Sequence, residues 1–110
     1  MQLQKRTFGD VTVITLDGIL DSGTAQAVQA DLEHLIPDQG RVLLDLGKMS
    51  YMSSAGLRVM LLAYRRALAS GARLALARLP ADVREVMTAT GFLDFFAVSD
   101  TVEEGLEALV

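Results

Sequence analysis

Ser53, Ser54 and Gly56 lie in the run GKMSYMSSAGLRVMLL at 47–62, between an apolar segment and a long amphipathic stretch. Two hydroxyls and a glycine in that position can serve either of two ends. They can cap a helix, since serine is among the best N-cap residues and is worth about 0.5–2 kcal/mol over alanine there. Alternatively, a hydroxyl can carry a phosphoryl group, because first-turn N–H groups lack partners and the helix macrodipole puts partial positive charge at that end. Glycine in a first helical turn costs up to about 1 kcal/mol relative to alanine, so Gly56 implies close backbone approach or tight packing. On these residues alone, capping and switching stand level.

Other chemistry finds little support. The chain has one histidine, His34, and no cysteine. A catalytic metal would have to be held by carboxylates, and none cluster at ligand spacing. His34 is read as a surface residue. A hydrolase elbow around Ser54 needs glycine two residues to either side, but Met52 occupies the first of those places and only Gly56 fits. Neither a GxxxxGK[ST] loop nor a G-x-G-x-x-G turn is present, so nucleotide hydrolysis has no motif. The expectation is a protein that is not an enzyme and needs no cofactor.

The elements that position the serines follow from periodicity. LQKRTF and VTVITL have strand character and flank Gly9-Asp10, a Gly-first hairpin turn. Asp21 or Ser22 is the expected N-cap of a helix with Ala25, Val28, Leu32 and Leu35-Ile36 inward, ended by Pro37 and Gly40. VLLDL at 42–46 reads as a buried parallel strand. After a loop, a helix presents Leu57, Met60-Leu61, Tyr64 and Leu68 as its apolar stripe, with Arg65 and Arg66 on a solvated face and Gly71 as its stop. ARLALARL at 72–79 is a strand closed by Pro80. Val83, Val86 and Met87 mark the next helix, which Asp82 caps or charges and Gly91 ends. FFAV at 95–98 is a last strand, and a terminal helix points Val102, Leu106 and Leu109 inward. The order ββαβαβαβα predicts an α/β fold: a mixed, mostly parallel sheet of four to five strands, an N-terminal hairpin and about four helices.

Bulk properties narrow the class further. At 110 residues and 51% hydrophobic, the chain fits one domain, 1–110, with an adequate core. Its net charge of −4 argues against nucleic acid, whose phosphates call for a basic face. The N-terminal MQLQKRTFGD lacks a signal-peptide core, and no apolar run approaches the roughly 18 residues of a membrane span. The expectation is a cytoplasmic protein without membrane insertion, monomeric when free.

With these residues in place, a family likeness emerges. LDLGKMSYMSSAGLRVMLL resembles the signature of the STAS family, named for sulfate transporters and anti-sigma factor antagonists, and specifically its small stand-alone antagonists in bacterial partner switching. GILDSGTA at 18–25, RLALARLPADVREVMTATGFLDFF at 73–96 and EEGLEALV at 103–110 are similar to further family segments in the same order. The resemblance implies that Ser54, two places before the glycine, is phosphorylated by an anti-sigma factor with a histidine-kinase-like ATP site and dephosphorylated by a serine phosphatase. Ser53 is the second choice of acceptor. It stands where well-known members carry aspartate, and Ala55 stands where they carry Ser or Thr. The unphosphorylated form would bind the anti-sigma factor through Asp21, Ser22, Met52, Ser53, Ser54 and Gly56, and the phosphorylated form would release it. Met49 and Tyr51 are further candidates for apolar partner surface, with core packing the other possibility.

Two other readings follow from related domains. Some STAS domains serve as non-switching subunits of lipid-transport ATPase complexes; there Ser54 would be a cap only. Nucleotide binding has been suggested for some relatives, and a helix N-terminus can hold phosphate without a motif, but nothing else in this sequence points to it.

Overall fold

A computed structural model describes residues 1–109. β1 (Gln2–Phe8) and β2 (Val11–Leu20) form the expected antiparallel hairpin. At its turn Gly9 has φ 61°, in the left-handed region that glycine enters without a Cβ penalty. β2 then pairs in parallel with β3 (Arg41–Asp45) through residues 11–15. Further along, after a register shift between Gly18 and Ile19, it pairs with β4 (Met49–Met52). β5 (Arg73–Ala77) and β6 (Ala97–Ser99) extend the sheet in parallel, giving the order β1-β2-β3-β5-β6 with β4 attached to β2.

Alternation along the strands sends side chains to two faces, and both are covered. Ile14, Leu16, Val42, Leu44 and Leu76 pack beneath α1 (Ala25–Leu35), α2 (Ser54–Ser70) and α3 (Ala81–Ala89), meeting Val28, Leu32, Met60 and Met87. Val11, Val13, Leu43, Ala75 and Ala77 point the other way, toward Leu109, Val102 and Leu106 of α4 (Val102–Leu109). Each wholly buried Leu or Ile contributes about 1.5–3 kcal/mol relative to an exposed one.

The structure departs from the sequence expectations in several places. β4 was expected as loop; its pattern has buried Met49 and Met52 bracketing exposed Ser50 and Tyr51, too short and irregular to alternate. With it the sheet has six strands among the described residues. α1 begins at Ala25 behind Thr24, so neither Asp21 nor Ser22 is its N-cap. On α2 the buried stripe is Gly56, Leu57, Val59, Met60, Ala63 and Ala67, while Leu61 and Tyr64 are half-buried and Leu68 is 61% exposed. Small Ala63 and Ala67 let the helix approach its neighbours closely, which turns the larger Leu68 outward. Val86 is only half-buried. The last strand begins two residues late because Phe92–Phe95 form a 3-10 turn.

Candidate functional site

The serines stand where β4 ends and α2 begins. β2 and β4 pair Leu20 with Met52, and the Ser53 N–H donates to the Leu20 carbonyl at 3.0 Å. Ser53 has extended backbone, φ −90° and ψ 178°, as an N-cap should, and its Oγ accepts a long hydrogen bond of 3.4 Å from the Gly56 N–H. Ser54 is the first residue of the helix and is exposed, and its side chain makes no hydrogen bond among the described residues. The sequence left both serines eligible for capping, and the geometry divides the tasks: Ser53 caps, and Ser54 presents a free hydroxyl at the positive end of a 17-residue helix.

Gly56 is buried. A Cβ there would stand 2.7 Å from the Leu20 carbonyl oxygen and 2.9 Å from side-chain carbons of Leu20 and Met52. The close approach implied by the glycine is therefore internal, between the start of α2 and the ends of β2 and β4. This corrects its placement among partner-contact residues. Met52 is corrected likewise: at 2% exposure it belongs to the core, as does Met49.

The second loop leaves the sheet beside the first, because Leu20, bonded to Ser53, is followed directly by Asp21. Asp21 is half-buried and organises a turn rather than capping a helix. Its Oδ1 accepts from the Gly23 N–H at 2.9 Å, its N–H donates to Thr24 Oγ1 at 3.0 Å, and the Thr24 hydroxyl donates to the Ile19 carbonyl at 2.9 Å. Ser22 is exposed at the tip of this turn. The outcome is one edge with Asp21, Ser22, Ser53 and Ser54 together.

Tyr51, a candidate for apolar surface, is exposed, and it has a neighbour that the sequence reading missed, Ile19. Ile19 and Tyr51 are cross-strand partners on β2 and β4, 47% and 52% exposed, one pair back from Leu20 and Met52. They form an exposed apolar pair beside the serine loop. The signal available was Ile19 in the run GIL, but only the pairing of β4 brings Tyr51 to it.

Among the described residues no group of three or more His, Cys, Asp or Glu could hold a metal ion, and no helix is long and apolar enough to cross a membrane. His34 is exposed at the end of α1.

A mixed, mostly parallel sheet covered by helices on both faces places the chain in the α/β class. Its family follows from comparison: the STAS domain profile matches residues 2–105, and the chain belongs to that family. BtrV of Bordetella bronchiseptica, by its name a candidate anti-sigma factor antagonist, is 36% identical over 110 residues, covering 98% of this chain and 94% of that protein. A candidate anti-sigma factor antagonist from Thermotoga maritima superposes with a TM-score of 0.89 at 18% identity, over 97% of this chain and 93% of that one. The antagonist SpoIIAA in its unphosphorylated form gives 0.78 at 24% identity, over 97% and 95%. The phosphorylated form of SpoIIAA, from Bacillus, gives 0.69 at 20% identity, over 99% and 100%.

Proposed function

We propose that this protein is an anti-sigma factor antagonist that binds an anti-sigma factor when Ser54 is unphosphorylated and is released when Ser54 carries phosphate. The partner is a serine kinase with a histidine-kinase-like ATP site, and a serine phosphatase resets the switch. In this reading the protein is substrate and ligand rather than catalyst, and it acts in the cytoplasm. The observation that carries the proposal is the division of labour between the serines: Ser53 holds the cap, leaving Ser54 exposed at the helix start with no structural task.

Phosphate on Ser54 would add about −1.5 to −2 charges and three acceptor oxygens at a helix N-terminus, where the protein itself tolerates negative charge. A partner packed over Ser54, Ile19 and Tyr51 would instead have to desolvate that dianion. A loss of about 2.8 kcal/mol weakens binding a hundredfold, which is enough to switch partners. Asp21 and Ser22 on the adjoining loop are proposed as contacts for the kinase, with the Asp21 carboxylate adding repulsion toward the phosphate. That SpoIIAA has this fold in both its unphosphorylated and phosphorylated forms supports a switch that leaves the domain folded.

The test is affinity capture from the native host with wild type, Ser54→Ala and Ser54→Glu as baits. The expected result is a kinase-like ATP-binding protein retained by the first two and lost by the third. Retention of the same transport-ATPase components by all three baits would make Ser54 a plain helix residue and the domain a structural subunit. Incubation of the captured kinase with ATP should label wild type and not Ser54→Ala; equal labelling moves the acceptor elsewhere, with Ser53 next.

A further inference from the structure

On the face of the sheet that α4 covers only in part lies a groove of about 770 Å³. Arg6, Lys48 and Arg78, three of the chain's ten basic residues, line it, against the carboxylates of Asp45 and Glu103. With Arg78 ion-paired to Asp45, Arg6 and Lys48 face one further carboxylate, Glu103, a net excess of one positive charge in a chain of net charge −4.

Arg78 is the strongest feature. It has φ 57°, the one positive value among the described non-glycine residues, at a position where glycine or asparagine would avoid a cost of about 1–2 kcal/mol. Its backbone N–H donates to the Ser99 carbonyl at 3.0 Å, and its side chain is seated as well. Nε donates to Asp45 Oδ1 at 2.8 Å, and that carboxylate is 4% exposed and also accepts from the Gly47 N–H at 3.0 Å. The guanidinium lies so close over Gly47 that a Cβ there would collide with it. Only Nε is used in this contact. The two terminal nitrogens have no hydrogen-bond partner among the described residues, and the side chain is 42% exposed. A guanidinium anchored through Nε with its outer fork unoccupied presents two terminal N–H groups to an oxyanion. Arg6 is also steadied, with its guanidinium 5.4 Å from the ring centre of Phe8.

We propose that this groove binds a small organic phosphate, its phosphoryl group held by Arg78, Lys48 and Arg6 and its organic part resting on Phe8 and Leu106. A single carboxylate is satisfied by one guanidinium fork, whereas a dianionic phosphoryl group has charge and acceptor oxygens for several cations. The volume exceeds what a bare phosphate fills and falls within the range of small-ligand pockets. The site is separate from the serine edge: α2 packs on the opposite face of the sheet, so ligand binding here does not depend on the partner-switching reading.

Phenyl phosphate and inorganic phosphate, titrated at constant ionic strength into the isotope-labelled full chain and followed by amide chemical shifts, provide the test. Phenyl phosphate should give saturable shifts around residues 6, 48 and 78, with Kd of about 1 mM or tighter. Inorganic phosphate should bind more weakly. Lys48→Gln and Arg6→Gln, both at exposed positions where folding is not at risk, should each weaken binding about fivefold, and Glu103→Gln should tighten it. The proposal is overturned if no saturable shift develops by about 10 mM. It fails equally if sodium chloride reproduces the shifts, if they centre on the first turn of α2, or if both cation variants bind like wild type. Equal affinity for the two probes overturns the organic half of the assignment.

Discussion

Ser53 and Ser54 share a composition and a neighbourhood, but removing their hydroxyls should have different consequences. Ser53→Ala deletes the acceptor for the Gly56 N–H and should cost about 0.5–2 kcal/mol in urea unfolding. Ser54→Ala should leave stability within about 0.5 kcal/mol, as for other exposed positions without structural partners. Ser54→Glu should be neutral to about 1 kcal/mol stabilising, because a carboxylate in the first turn complements the macrodipole. A Ser54→Ala protein destabilised as much as Ser53→Ala would show that the hydroxyls share the cap. Gly56→Ala should cost about 1–3 kcal/mol, since the added methyl meets the Leu20 carbonyl, which belongs to the sheet and cannot swing aside.

Among the elements, α2 best illustrates how packing overrides a hydrophobic pattern. The spacing favours a stripe through Leu57, Met60-Leu61, Tyr64 and Leu68; Leu57 and Met60 are buried as expected, but farther along the buried face runs through Ala63 and Ala67. The choice follows from what lies beneath: Gly56 must sit against Leu20 and Met52, and once the first turn is docked, the helical period fixes every later position. Ala67→Leu should therefore overpack and cost about 1–3 kcal/mol, whereas Leu68→Ala should change stability by no more than about 0.5 kcal/mol. Urea midpoints of the two variants check this, and the opposite ranking would return Leu68 to the core. Tyr64, half-buried, packs against Phe95 and Phe96 at ring-centre distances of 5.6 and 5.2 Å, so the 3-10 turn and the residue after it partner this side of α2.

For the whole molecule, the two-sided sheet sets the terms. The face under α1, α2 and α3 carries the larger core, and α4 alone covers Val11, Val13, Leu43, Ala75 and Ala77 on the other. A chain ending at Asp100 should therefore bind a hydrophobic dye and lose cooperative unfolding, because a domain with net stability of only about 5–15 kcal/mol cannot expose one face of its sheet. A sharp transition in that truncated protein would show that the first core suffices alone. The same layout separates function in space: the serine edge lies at the strand ends where α2 starts, and the basic groove lies across the sheet on the α4 side.

Much was determined by sequence alone, because local rules dominate wherever one element is decided by its own residues. The Gly9 turn, the buried apolar run of β3, the glycine stop at Gly71 and the serine cap are of that kind: each needs only backbone sterics, side-chain period or a short-range hydrogen bond. The family signature, carried by short segments spread through the chain, was legible for the same reason. Tertiary structure decided what depends on pairing at a distance. β4 exists because β2 offers an edge past Gly18, and from that pairing follow the burial of Met52, the internal role of Gly56 and the exposed pair of Ile19 and Tyr51. The seating of Arg78 on Asp45, 33 residues apart in the chain, is equally invisible to any local pattern. Such features are set by the free energy of contacts between segments, which no window along the sequence contains.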